Sequence, residues 1–115
     1  MATISGNNFA DTLFGGSDAD TIIGWLASNG VGDLGPANDA DILLGDAGND
    51  LVQGDGGDDA LYGGADNDLL SGGYGTDSLT GGDGDDYAAG DAGNDVLIGG
   101  SGNDTLYAGD GNDAA

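Results

Sequence analysis

The sequence predicts an all-β chain in which short strands and glycine turns alternate in near-identical units that stack coil upon coil. Three observations predict it. From Gly45 to the end a nine-residue unit recurs in one register, as in Gly45-Asp46-Ala47-Gly48-Asn49-Asp50-Leu51-Val52-Gln53 and Gly99-Gly100-Ser101-Gly102-Asn103-Asp104-Thr105-Leu106-Tyr107. Nearly every unit carries one aliphatic residue in eighth place, which nine residues cannot bury alone, so copies must cover one another. No stretch carries a helical period, and 27 glycines oppose helix throughout.

Set out in nines, copies begin at Gly6, Gly15, Pro36, Gly45, Gly54, Gly63, Gly72, Gly81, Gly90, Gly99 and Ala108. Glycines in first, second and fourth place allow positive φ and close backbone approach, as tight turns require. The seventh to ninth places, as in Val96-Leu97-Ile98, suit a very short strand. Alternation puts the eighth residue on one face and its neighbours on the other. The eighth places read Leu13, Ile22, Leu43, Val52, Leu61, Leu70, Leu79, Ala88, Leu97, Leu106 and Ala115, with the two alanines the weak members. The register breaks once, over residues 24–35, which contain Trp25 and could be a repeat lengthened by three. The chain therefore divides into degenerate opening repeats, 1–35, with an irregular insertion at 24–35, and a regular body, 36–115. Trp25 is expected to cap an open end of the stack.

All 22 acidic residues are Asp, and Lys, Arg and His are absent, giving a formal charge of −22. Such charge with few aromatic residues is the signature of disorder in plain water. A strict register with an aliphatic residue in each copy is not, so the chain is expected to be disordered without a cation and folded with one. Nucleic acid is excluded as a partner by the lack of any cationic side chain. No apolar run approaches the roughly 20 residues of a membrane helix, and Met1–Gly6 lacks the basic start and apolar stretch of a cleaved leader. With no Cys, disulfides and thiolate metal sites are excluded.

The chemistry lies in sixth place. Asp11, Asp20, Asp41, Asp50, Asp59, Asp68, Asp77, Asp86, Asp95, Asp104 and Asp113 share that phase, half of all the Asp. An Asp behind a glycine turn offers its carboxylate and the backbone carbonyls of the turn. Hard oxygens in flexible number suit Ca²⁺, which takes 6–8, whereas Mg²⁺ demands a stricter octahedron. Transition metals favour His or Cys, and neither is present. One turn offers part of a shell, and a second turn stacked over it can complete the set.

The unit Gly-Gly-x-Gly-x-Asp-x-aliphatic-x resembles the RTX (repeats-in-toxin) nonapeptide, strongly over about 80 residues and weakly over most of the rest. The resemblance implies a right-handed parallel β-roll, a solenoid with two nonapeptides per coil, stapled by calcium. Each glycine turn is then half a site, completed by the turn eighteen residues away, pairing Asp50 with Asp68, Asp59 with Asp77, Asp68 with Asp86, Asp77 with Asp95 and Asp86 with Asp104. The candidate ligands are the sixth-place carboxylates from Asp41 to Asp113, with Asp11 and Asp20 as secondary members. Gly45, Gly48, Gly54, Gly57, Gly63, Gly72, Gly75, Gly81, Gly84, Gly90, Gly93, Gly99 and Gly102 contribute through their carbonyls. Nine copies in the body allow at most seven ions. Turns in which Pro36, Ala37, Asp39, Asp66 or Ala108 replaces a glycine are weaker sites, and Asp46, Asp55 and Asp91 in second place keep a carbonyl while adding charge.

The family also implies a context: an extracellular protein exported by type I secretion, in which the roll helps an active domain fold after export. The chain stops within a repeat at Asp113-Ala114-Ala115, as a fragment, a trimmed or designed chain, or a short natural protein would. Catalysis is not expected of the repeats themselves, because among the usual catalytic side chains only Asp, Ser, Thr and Tyr are present. The alternative is a surface module for ice or polysaccharide, but the third places Ala47, Gly56, Ala65, Tyr74, Asp83, Ala92, Ser101 and Asp110 form no Thr row, and Asn recurs in fifth place only irregularly. Two outer faces, Ile42, Leu44, Tyr62, Val96 and Ile98 on one and Leu51, Leu69, Tyr87 and Tyr107 on the other, could receive a missing catalytic or toxin domain.

Overall fold

Each nonapeptide forms one strand and one turn, and the strand is longer than the three residues its aliphatic core suggests. In the computed structural model, which describes residues 3–5, 12–16, 21–23 and 40–115, the regular strands run six residues. They are β4 (Ile42–Ala47), β5 (Leu51–Gly56), β6 (Ala60–Ala65), β7 (Leu69–Tyr74), β8 (Ser78–Asp83), β9 (Tyr87–Ala92) and β10 (Val96–Ser101). Three short strands precede them, β1 (Thr3–Ser5), β2 (Thr12–Gly16) and β3 (Thr21–Ile23), and β11 (Thr105–Tyr107) follows. Each six-residue strand spans places seven to nine of one copy and one to three of the next. The extension comes from the stack: a parallel partner of the same phase lies beside every strand and pairs its second and third places as well, as in Asp46↔Gly64 and Ala47↔Ala65.

Successive strands alternate between two parallel sheets, ordered β1-β3-β5-β7-β9-β11 and β10-β8-β6-β4-β2. The described elements are all strand, a parallel β-solenoid with two strands per coil. The eight strands from β4 to β11 make about four turns. Partners in this body lie eighteen residues apart, as in Ile42↔Ala60 and Leu51↔Leu69. Before it the offset is thirty: Thr12 pairs with Ile42 and Thr21 with Leu51. The extra twelve residues equal the length of segment 24–35, which lies outside the described residues. Trp25, Pro36, Ala37 and Asp39 lie outside the described residues, as do Asp11 and Asp20.

The core is a single file between the sheets. Leu43, Leu61, Leu79 and Leu97 come from one sheet and Val52, Leu70 and Ala88 from the other, all buried, with Leu106 packed partly against them. From Leu43 to Leu106 the eighth-place residues are therefore where the period put them, whereas Ala115 is exposed. The seventh and ninth places face outward: Ile42, Tyr62, Val96 and Ile98 are exposed on one sheet, where Phe14 joins them, and Leu69, Tyr87 and Tyr107 on the other. Leu44 and Leu51 are half-buried. Tyr74, in third place at the end of β7, is the most exposed of these large apolar residues at 69%.

Because each coil contributes only two core side chains, truncating one opens the whole local cross-section. Leu79→Ala should destabilise the folded chain by about 2–5 kcal/mol, whereas Ser78→Ala, on the exposed neighbour, should change stability by less than about 0.5 kcal/mol. Denaturant unfolding of the two variants side by side checks this, and equal losses would contradict a single-file core.

Candidate metal centre

Alternation through the strand puts places six, eight and one on the inner face. Each strand is thus flanked inside by an Asp at its start and a Gly near its end, with the aliphatic residue between. The sixth-place Asp41, Asp50, Asp59, Asp68, Asp77, Asp86 and Asp95 are all buried, with 1–4% of their surface exposed. Asp104 and Asp113, in the last coil, are half-buried.

One oxygen of each carboxylate reaches back one coil. The N–H of Asp50 donates to Asp68 Oδ1 at 2.8 Å, Asp59 to Asp77 at 2.8 Å, Asp68 to Asp86 at 2.8 Å, Asp77 to Asp95 at 2.9 Å and Asp86 to Asp104 at 3.0 Å. Asp41 with Asp59 and Asp95 with Asp113 extend the series. The eighteen-residue partners expected from the sequence are therefore neighbours. They form two columns of parallel carboxylates, one along each row of turns.

The other oxygen turns inward. Oδ2 of Asp68, Asp77, Asp86 and Asp95 is buried and has no hydrogen-bond partner. It lies against the first-place glycine of its own copy: a Cβ on Gly72 would sit 2.5 Å from Asp77 Oδ2 and 2.9 Å from the carbonyl oxygen of Gly90. The first-place glycines are not at positive φ, contrary to the expectation from turn chemistry. They are glycine because the carboxylate and a carbonyl of the next coil occupy the space of a side chain. The second and fourth places do take positive φ, and there the carbonyl of one coil points at the glycine of the next, as Asp55 does toward Gly73 and Gly75 toward Gly93. Asp46, Asp55 and Asp91 hold the second-place conformation at φ 70–75°, and Asp66 holds the fourth-place one at 79°. Asp tolerates this region better than most residues. Asp66 also accepts the N–H of Gly48 on Oδ2, at 3.3 Å, so the turn survives the replacement.

Buried like charges in a column disfavour ionisation. Asp68 is pushed up to about 7, chiefly by burial and then by Asp50, Asp86 and Asp66, against the backbone hydrogen bond that lowers it. Asp77 is likewise pushed up to about 7, by burial first and by Asp95, Asp58 and Asp91. Asp86 and Asp95 are raised for the same reasons, and Asp55 by burial. The turns that carry Asp68, Asp77, Asp86 and Asp95 are thus oxygen-lined enclosures with an unsatisfied carboxylate oxygen, the donor set of a hard cation. Among the described residues no three acidic side chains converge on one point, so a full shell would have to draw largely on carbonyls.

A second ladder went unread in the sequence. Fifth-place side chains accept the N–H of the fifth residue one coil later: Asn67 to Asn49 Oδ1 and Asp85 to Asn67 Oδ1 at 2.9 Å, Thr76 to Asp58 Oδ1 at 2.8 Å, Asn103 to Asp85 Oδ1 at 2.9 Å and Asn112 to Asn94 Oδ1 at 3.0 Å. The signal was available: Asn alone recurs irregularly, but Asn or Asp fills seven of the eight fifth places from Asn49 to Asn112.

Fold and site together define a parallel β-solenoid whose turns carry buried, cation-seeking carboxylates. Comparison with protein families matches residues 3–29, 37–70, 63–97 and 81–114 to four copies of the RTX calcium-binding nonapeptide repeat, and the chain belongs to that family. No curated protein and no solved structure matched it. The RTX roll is a structural calcium-binding module and not itself a catalyst.

Two outcomes follow from the crowding and the charge. Gly72→Ala should collide with Asp77 and Gly90, costing roughly 1–3 kcal/mol, while Ala65→Gly, in an outer third place, should cost under about 1 kcal/mol; similar melting temperatures for the two would refute the packing role. In the unfolded chain Asp68 and Asp77 titrate near 3.8, in the fold near 7. Between those values the fold binds protons that the unfolded chain has released, so the penalty on the calcium-free roll is absent below about 3.8 and complete above about 7. Circular dichroism of the calcium-free chain should gain sheet signal as pH falls through this window. A coil signal unchanged to pH 4 would contradict it.

Proposed function

We propose that this chain is a calcium-dependent folding module of a secreted bacterial protein. The observation that carries the reading is the set of buried Oδ2 atoms of Asp68, Asp77, Asp86 and Asp95, which have no proton donor. Leaving a carboxylate buried and unpaired is costly, and here the cost recurs in coil after coil. Bound divalent ions would supply the missing positive charge. The sixth-place carboxylates Asp41 to Asp113 would hold them together with first- and fourth-place carbonyls, such as those of Gly72, Gly75, Gly90 and Gly93. Seven ions, the most that the regular body allows, carry +14 against −22. Most of the self-repulsion would vanish on binding, so folding and binding form one event.

That coupling suits a protein that crosses a membrane unfolded where calcium is scarce and folds outside the cell where it is plentiful, the setting of type I secretion. No helix among the described residues is long and apolar enough to cross a membrane. In this reading the roll serves a larger toxin, protease, lipase or adhesin without taking part in its chemistry. The exposed apolar residues of the outer sheets, such as Ile42, Val96 and Ile98, would meet that domain.

Far-UV circular dichroism during a calcium titration of a chelator-stripped sample, with magnesium as control, tests the proposal. A coil spectrum that becomes sheet with calcium alone is the expected outcome. Sheet already complete at neutral pH without calcium, or equal folding with magnesium, would overturn it.

A further inference from the structure

We propose that the fifth-place side chains are positioning residues, acceptors that clamp each turn to the coil before it, and that Thr76 is the one missing rung among the described residues, which leaves Asn94 in the Gly90–Asp95 turn the least protected of the fifth-place amides. The inference rests on the calcium reading only in its second readout.

Successive N–H groups in the turn point along the solenoid in opposite directions. At Asn67 the N–H reaches back to Asn49 Oδ1, and at Asp68 the next N–H reaches forward to Asp86 Oδ1, at 2.9 and 2.8 Å. The peptide unit that carries the sixth-place carboxylate is therefore held from both sides. Asp85 and Asp86 repeat the arrangement, with Asn67 behind and Asp104 ahead. This clamp sets both the distance between neighbouring turns and the direction of the carboxylate. It needs only a side-chain oxygen two bonds beyond Cβ, which Asn and Asp share; charge is not required. All of these side chains are exposed, so the ladder sits on the solvent side of the carboxylate columns and adds no group to the candidate metal shell.

The two rows of turns differ. Asn49, Asn67, Asp85 and Asn103 form an unbroken ladder along one. Along the other, the Thr76 N–H donates to Asp58 Oδ1 and the Asn112 N–H to Asn94 Oδ1, but among the described residues no bond joins the Asn94 N–H to Thr76. The threonine hydroxyl is one bond shorter than an Asx oxygen and falls short of the next coil. The turn from Gly90 to Asp95 is tied ahead through the Asp95 N–H to Asp113 at 2.9 Å and is held behind by the Asp77 and Gly75 N–H groups, which donate to Asp95 Oδ1 and the Ala92 carbonyl, but it lacks the fifth-place rung.

Amide hydrogen exchange in the calcium-saturated chain, read residue by residue by NMR, tests this. The Asn94 amide should exchange roughly tenfold faster than those of Asn67, Asp85 and Asn103, the order expected for one net hydrogen bond. Thr76→Asn should slow it to their level. Asp85→Ala should speed exchange at Asn103 by a similar factor, and Asp85→Asn should restore it, since the rung survives without the charge. The second readout is the calcium midpoint, which Thr76→Asn should lower several-fold. Equal protection of Asn94 and Asn103 in the parent chain overturns the proposal, as does failure of Asp85→Asn to restore what Asp85→Ala removes. Should Asp85→Ala fail to fold, the Thr76→Asn comparison still decides, because it adds a rung. If the exchange pattern holds in a roll that forms without calcium, the ladder stands and the calcium reading falls. A chain with no protected amide in any condition overturns both.

Discussion

The structure depends on a narrow interior that admits one apolar side chain per strand. Period-two alternation sends three successive inner positions into that space, and the repeat fills them with Asp, an aliphatic residue and Gly. The aliphatic file supplies the apolar burial, about 2–3 kcal/mol for each fully covered Leu. The Asp brings a charge into the same slot, and the Gly is empty so that the charge can fit. Neither the core nor the acidic columns can be understood alone, because each occupies the room left by the other. A solenoid built only for stability would set apolar residues at both positions. Keeping a carboxylate there at every coil is what would make the fold conditional on a positive partner in the proposed function.

The cost of those carboxylates is visible in the electrostatics. Asp68 and Asp77 are pushed up to about 7 chiefly because they are buried, and further because like charges of the same column lie beside them. Translational repetition, which gives each strand a matching hydrogen-bond partner at no extra design cost, also stacks like charge on like charge. In the proposed function, proton and metal ion would compete for the same oxygens, and the balance of pH and cation concentration would decide whether the coils close.

The sequence was most legible where one residue type recurs in one place. Leu43 to Leu97 formed the core file that the eighth places foretold, and the eighteen-residue Asp partners are neighbours in space. It was least legible where the cause lies in the next coil. Strand length could not be read from Val96-Leu97-Ile98, because Gly99 to Ser101 join the strand through pairing with β8. The first-place glycines looked like turn residues, whereas a carboxylate from five residues later claims their side-chain space. The fifth-place ladder was hidden by asking for Asn when the chemistry asks for a side-chain oxygen, so Asp58 and Asp85 seemed to break a pattern they belong to. The thirty-residue offset at Ile42 likewise follows from which strand pairs with which, a relation that the linear count over residues 24–35 leaves open.

The constancy of the eighteen-residue step has one more consequence. A parallel ladder that repeats itself matches its neighbour again after a slip of one whole coil, and every inner residue then still meets its own kind. Register in such a stack is specified only where the copies differ. Ala88 among leucines, Thr76 among Asx residues and Asp66 among glycines are imperfections when each turn is judged by itself. Along the chain they act as landmarks, distinguishing one coil from the next and giving an otherwise degenerate set of pairings a single lowest arrangement.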